Sequence, residues 1–359
     1  MKHKYLIILF FLSKSTIPVA GQVNVDKHID KIAKFQLIDE LKKKLKDSYV
    51  FIDIAQQIES DLNRRILNNE YTNISSSKEL AKKLQDDLQG ISKDKHLRMY
   101  FSSEPIPATQ QMQPTTEEKN ITFWFEKRNN WGFAKFERLE GNIGFLQLNS
   151  FEEPDRAIET VTAAMNLLSN TDALIIDLRQ NGGGSPAMVP LISSYFFKDS
   201  IHLNDIYWRQ KGMTEPFWTT PSVKGKKYID KPVYILTSKY TFSAAEASAY
   251  NLNTLKRSLI VGETTRGGAN PGERFRLSDH FEVFIPTGQA INPITKANWE
   301  GIGIKPDIMV PKDQALKTAY ILALKEVIDK VPYTYIKNAM EEIIKENQKQ
   351  LDEMKAKTN

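Results

Sequence analysis

A chain of 359 residues, 41% apolar and 26% charged, is long enough for one large domain plus a small one and too apolar to be disordered throughout. Its 49 lysines and arginines against 44 aspartates and glutamates leave a net charge of +5, yet the two signs are interspersed without a basic stripe or interleaved aromatics, so nothing argues for nucleic acid. The absence of cysteine excludes a disulfide framework, a zinc–thiolate site and a thiol nucleophile.

The opening "MKHKYLIILFFLSKSTIPVAGQ" places Lys2 and Lys4 before an apolar run at 5–12, and Val19, Ala20 and Gly21 before Gln22. That order predicts a secretory signal peptide over residues 1–21, with an apolar core too short to span a bilayer. Export to a periplasmic or extracellular space is expected, and no membrane span. Residues 22–92 read as an N-terminal helical domain: Ile38, Leu41 and Leu45 form one stripe, Ile54, Ile58, Leu62 and Ile66 a second, Leu80, Leu84 and Leu88 a third. A connecting segment over 93–140 includes the polar, three-proline stretch at 103–120, which reads as a linker or mobile loop.

From 141 to 331 strands and helices alternate. "NIGFLQLNS" is a strand, Ile158, Val161, Met165 and Leu168 mark a helix, and "ALIIDL" is a buried run of the parallel type. A glycine loop, a helix, a β segment, the strand "PVYILTS", the helix after Ser243 and the strand "SLIVGE" follow. Such alternation predicts an α/β fold with a parallel sheet, whose ligands collect at the carboxyl ends of the strands. Three successive strand ends carry "DLRQNGGG", "TSKYTFS" and "VGETTRGG". Residues 332–359 form a charged helical tail.

Ser243 and Glu246 make the Ser-x-x-Glu spacing of a capping box, and Ser76 and Glu79 make the same spacing with no chemistry near them. On spacing alone Ser243 is a cap or a nucleophile. A nucleophile needs a base, a group that orients it, and oxyanion donors. Of five histidines, His3 lies in the leader, His28 at the start of the first helix, His202 in a β edge and His280 beside a hairpin turn; His96 in "SKDKHLRMY" stands apart. Gly182, Gly183 and Gly184 follow a buried strand and precede a helix, where backbone N–H groups face an anion or simply meet a tight turn. No P-loop, dinucleotide fingerprint, G-x-S-x-G elbow or metal-ligand spacing occurs.

Taken in order, "DKHL", "GNIGFLQL", "LIIDLRQNGGG", "TSKYTFSAAE", "VGETTRGGANPG" and "PTGQAINPITKANWEGIGIKPDI" resemble the S41 family of serine peptidases, the C-terminal processing and tricorn-core class. The resemblance runs from about residue 26 to 310. It implies a ClpP/crotonase-like twisted parallel sheet with crossover helices, preceded by a small three-helix bundle, with no cofactor and no metal. It implies Ser243 as nucleophile, with oxyanion donors at Gly183, Gly184 and Ala244. The lysine base of the bacterial branch would fall at Gly268, so a Ser–Lys dyad is rejected; Arg266 nearby does not deprotonate. In the tricorn and interphotoreceptor retinoid-binding-like branch a histidine is the base and a glutamate orients it, matching His96 and Glu300.

The sequence departs from that branch at Lys95, where tricorn-type enzymes have a serine that relays the glutamate contact; Glu300 reaches His96 directly, through water, or not at all. The interval between "DKHL" and "GNIGFLQL" is too short for a PDZ domain. The expected substrate is a peptide or unstructured protein, with the oligomeric state open. Two alternatives share the fold: a non-catalytic retinoid-binding-like module holding an apolar ligand or peptide, and crotonase-type acyl-CoA chemistry, which suits export poorly. Glu246 is assigned mainly to capping, and Trp299 to packing.

Overall fold

A computed structural model describes residues 25–107 and 116–358, so the expected leader lies outside the described residues. Three helices come first, α1 (Lys31–Ser48), α2 (Ile52–Leu67) and α3 (Ser77–Ser92), each placed by the stripe that the sequence shows. Asp30 accepts the Ala33 N–H at 2.9 Å and Ser76 the Glu79 N–H at 3.0 Å, so the first and third are capped by side chains. Then follow β1 (Arg98–Phe101), α4 (Thr116–Arg128), β2 (Phe133–Leu139), β3 (Ile143–Leu148), α5 (Pro154–Leu168), β4 (Ala173–Asp177) and α6 (Met188–Ser193). The middle of the chain supplies β5 (His202–Trp208), β6 (Met213–Trp218), β7 (Val233–Thr237), α7 (Ala244–Thr254) and β8 (Leu259–Gly262). The remainder is β9 (Gly272–Arg276), β10 (Phe281–Pro286), β11 (Gly288–Ile291), β12 (Ile308–Met309), α8 (Lys312–Val327) and α9 (Thr334–Thr358). Helix α4 begins inside the stretch expected to be a linker, with Lys127 and Arg128 in its last turn, where the helix dipole favours cations.

The chain divides into two compact units, each made of separate stretches. The first takes the chain up to Lys119 together with Asp205–Glu215 and Gly268–Ile291. Here the three helices do not close on themselves alone: Leu41, Leu84 and Leu88 pack with Leu97, Met99, Phe281, Val283 and Ile285 in one core. The antiparallel sheet beneath has the order β1-β10-β9, with Met99 opposite Val283 and Val283 opposite Phe275. Late segments are drawn in by backbone demand as well as by apolar contact. The Val50 N–H donates to the Pro286 carbonyl at 2.9 Å, and Arg209 donates to the Tyr49 carbonyl at 2.6 Å.

The second unit takes Asn120–Asn204, Pro216–Gly267 and the chain from Asn292. Its sheet has the order β12-β8-β7-β4-β3-β2, parallel throughout except for the edge strand β2, which runs against β3. Strands β4 and β7 are buried at every position, as continuous apolar runs require when helices cover both faces. On one face Ala315, Ala319, Ala323 and Leu324 of α8 pack on Phe145, Ile175, Tyr234 and Val261. On the other, Gly144 leaves room for Leu168 of α5. Among the described residues no helix is long and apolar enough to cross a membrane.

Candidate active site

The carboxyl ends of β4, β7 and β8 are fastened to one another by side chains that the motifs supply. At the end of β4, Asp177 accepts the Arg179 N–H at 3.0 Å and Nε at 2.8 Å, which turns the chain into the glycine loop. Asn181 is wholly buried and uses every polar group: its N–H meets the Leu178 carbonyl, its Nδ2 the Leu148 carbonyl at 2.9 Å, its Oδ1 the Gly183 N–H at 2.8 Å, and its carbonyl the Phe242 N–H at 3.1 Å. From β7, Ser238 Oγ donates to the Arg179 carbonyl at 2.6 Å and Thr241 Oγ1 to the Leu178 carbonyl at 2.9 Å. From β8, the Arg266 N–H donates to the Thr241 carbonyl at 3.0 Å, and the Arg266 guanidinium lies 5.1 Å from the Phe242 ring centre.

This framework delivers Ser243 at the first position before α7 with φ 56° and ψ −122°. The Ala245 N–H donates to the Phe242 carbonyl at 3.2 Å, which closes a turn of type II′ with Ser243 in its first central position. That position ordinarily takes glycine, and a residue with a side chain held there costs on the order of 1–3 kcal/mol. Strain of this kind in a strand-to-helix turn lifts a serine Oγ clear of the sheet edge. The middle peptide of a type II′ turn stands across the turn, so the Ala244 N–H is not used by it.

The glycine loop faces this turn. Gly183 has φ 103°, and a Cβ built on it would lie 2.8 Å from the Ser243 Cβ and 3.2 Å from the Ala244 nitrogen. Gly184 has φ 140°, and its Cβ would lie 2.0 Å from the Phe151 carbonyl oxygen, because the chain at Phe151 pairs with it: the Phe151 N–H donates to the Gly183 carbonyl at 2.9 Å, and the Ser185 N–H to the Phe151 carbonyl at 2.6 Å. Both glycines are therefore required by backbone angle and by close approach. Gly183 has its N–H engaged by Asn181, whereas among the described residues the Gly184 and Ala244 N–H groups donate to nothing. Beyond Phe151, burial pushes the Glu152 and Glu153 carboxyls above the ordinary range; Ser150 and Ser185, respectively, bond them and oppose the rise.

Glu246 holds the backbone of the Ser243 turn. Its Oε2 accepts the Ser243 N–H at 2.9 Å, and the Ser243 side chain faces the Glu246 backbone N–H, so both halves of the capping box are in place. Glu300 sits half-buried in the turn before β12, its N–H on Asn298 Oδ1 at 3.0 Å, and the neighbouring Trp299 is buried with its ring 5.0 Å from Tyr250. His96 belongs to the other unit, buried in the turn between α3 and β1, with its N–H on Asp94 Oδ1 at 2.9 Å and its ring 6.0 Å from that of Phe284. Of the remaining described histidines, His28 is exposed and His280 at the β9–β10 hairpin has Nδ1 2.9 Å from the Ser102 carbonyl, as the sequence suggests, whereas His202 stacks on Trp218 at 4.5 Å in β5, the middle strand of β11-β5-β6 and not an edge.

Ser243, Ala244, Gly183 and Gly184 thus come together in one unit, and the turn bearing Glu300 is tied to the same strand-end framework. Asn181, Ser238 and Thr241 lie inside the motifs that the sequence shows, yet the sequence analysis gave them no role. Their signal was a run of small polar residues directly after two buried strands, where a plain loop would not need buried hydroxyls.

The site is thus a parallel α/β sheet that presents a strained serine and two glycines at its carboxyl edge. The chain belongs to peptidase family S41: that family's profile matches residues 142–310, and a profile described as the N-terminal domain of Peptidase_S41 in eukaryotic IRBP matches residues 31–125. A carboxyl-terminal-processing peptidase 2, chloroplastic, of Arabidopsis thaliana is 28% identical over 180 residues, 47% of this chain and 32% of that protein. A carboxyl-terminal-processing protease of Picosynechococcus is 26% identical over 186 residues, 50% of this chain and 42% of its own. The chain therefore matches less than half the length of these relatives. Among solved structures, a candidate peptidase from Parabacteroides merdae superposes with a TM-score of 0.58 at 20% identity, covering 81% of this chain and 96% of the other, a likeness of fold.

Proposed function

We propose that this chain is an exported serine peptidase in which Ser243 is the nucleophile, His96 the base and Glu300 the group that orients His96. Ser243 Oγ bonds to the peptide carbonyl carbon while neutral His96 takes the Oγ proton, and the negative charge builds on the carbonyl oxygen. The Ala244 N–H, with that of Gly184, meets this oxygen; the Gly183 N–H joins only by exchanging its bond to Asn181 for one to the substrate. On collapse the C–N bond breaks, the imidazolium returns the proton to the departing amine, and water then hydrolyses the ester on Ser243.

The observation that carries the reading is a serine held at φ 56° beside an uncommitted Ala244 N–H, with glycine at 183 leaving the space in front of that N–H open. A cap alone needs none of these. Substrates fitting the reading are unstructured peptide segments, in keeping with the processing relatives and with a leader over residues 1–21. The test is labelling of the full chain by a fluorophosphonate. Wild type is expected to label, and Ser243→Ala not at all.

A second reading, a non-catalytic module holding an apolar ligand, is favoured by the match of residues 31–125 to the IRBP domain. A folded wild type that neither labels nor cleaves peptides, and whose tryptophan fluorescence is quenched by retinol, would establish it in place of the first.

A further inference from the structure

We infer that Glu246 and Thr265 form a buried clamp that holds Ser243 in its reactive geometry and joins it to the turn carrying Glu300, so that both are positioning residues. The inference rests on the peptidase reading and deepens it. Capping requires one carboxylate oxygen, and Oε2 of Glu246 serves for that. The other oxygen is surplus to the cap, yet Oε1 accepts the Thr265 hydroxyl at 2.5 Å and the Gly267 N–H at 2.7 Å. Glu246 is 0% exposed, whereas Glu79, in the same sequence pattern on α3, lies in solvent. A carboxylate is buried this completely only where donors meet its oxygens, and here they come from two different loops.

Thr265 passes the constraint on. Its hydroxyl accepts the Ile304 N–H at 2.7 Å while donating to Glu246, and its own N–H donates to the Ile304 carbonyl at 3.2 Å. The Gly301 N–H donates to the Gly267 carbonyl at 3.2 Å, and a Cβ on Gly303 would lie 2.2 Å from the Thr265 carbonyl oxygen. The loop after β8 and the turn from 300 to 304 are thereby packed backbone to backbone. A line of hydrogen bonds runs from the Ser243 amide through Glu246 to the residue next to Glu300.

A strained backbone persists only where its surroundings over-determine it. With the Ser243 N–H released, the turn relaxes towards negative φ, Oγ swings away, and the Ala244 N–H no longer faces the space beside Gly183. Glu246→Gln keeps the shape but sets an amide NH2 against a donor. Thr265→Val keeps the shape but deletes the hydroxyl link, and Thr265→Ser restores it.

The experiment measures the rate constant of Ser243 labelling by a fluorophosphonate, kcat and KM on a peptide, and Tm, for the full chain. Glu246→Gln and Thr265→Val are expected to label about 10–100-fold more slowly, with kcat falling in step and KM within about threefold of wild type. Thr265→Ser is expected to recover most of the rate, and Ser76→Ala, which disturbs the cap of α3 and the bond to Asp26 far along the chain from Ser243, to label as wild type. Wild-type rates in a folded Thr265→Val or Glu246→Gln overturn the clamp while leaving the peptidase reading intact. Should Glu246→Gln not fold, Thr265→Val decides. A folded wild type that does not label defeats the peptidase reading, and the clamp falls with it.

Discussion

Glycine is needed at 183 and at 184 for different reasons, and substitution separates them. A methyl on Gly184 meets a backbone oxygen that pairs in the Phe151 bridge, at a φ unfavourable to any side chain. Gly184→Ala is expected to lower stability by about 2–4 kcal/mol in urea unfolding. A methyl on Gly183 meets the Ser243 Cβ and the Ala244 nitrogen, so under the proposed mechanism Gly183→Ala is expected to slow fluorophosphonate labelling by roughly 10²–10³-fold, the scale of a lost oxyanion donor. Labelling by Gly183→Ala at the wild-type rate would remove this space from the mechanism. The places of Ser243 and the glycines at strand ends were legible because their patterns sit after strands whose burial the sequence already shows. Asn181 was not, because its partners at Leu148 and Phe242 are brought to it by the sheet.

Helices were the legible elements. The stripes of α1, α2 and α3 are local, and the Ser76–Glu79 box marks the start of α3, so Ser76→Ala is expected to cost about 1 kcal/mol in chemical denaturation. Pairing was not legible: β1 joins β10 across the length of the sheet domain, Arg98 opposite Phe284, and no period in either strand names its partner. The segment between β3 and α5 carries a pH dependence of its own. Burial raises the Glu152 carboxyl above its usual value, with Glu126 and Glu153 adding to the rise and Ser150 and Arg156 opposing it. A raised carboxyl pKa favours the folded state fully below the unfolded value and loses that contribution as pH climbs through the folded one. Glu152→Gln, whose amide oxygen still accepts from Ser150, is therefore expected to gain stability relative to wild type as pH rises from about 4 to 7. A difference in Tm independent of pH would count against burial as the cause.

At the scale of the whole molecule, the order of motifs was readable and the division of the chain was not, because Asp205–Glu215 and Gly268–Ile291 fold with a unit that begins far upstream. Periodicity reports which face of an element is apolar and is silent about which unit receives it. The proposed triad makes Glu300 act through His96, so its working is a question of coupling between those two residues. If Glu300 acts by orienting His96, the two cannot contribute independently. His96→Ala is expected to lower kcat by roughly 10²–10⁴-fold, and Glu300→Gln by a smaller factor. In the His96→Ala background, Glu300→Gln is expected to cost less than about threefold more, since the group it would orient is gone. Losses that multiply in full would show that Glu300 acts through its own turn and the Thr265 loop, and would leave His96 without an orienting partner.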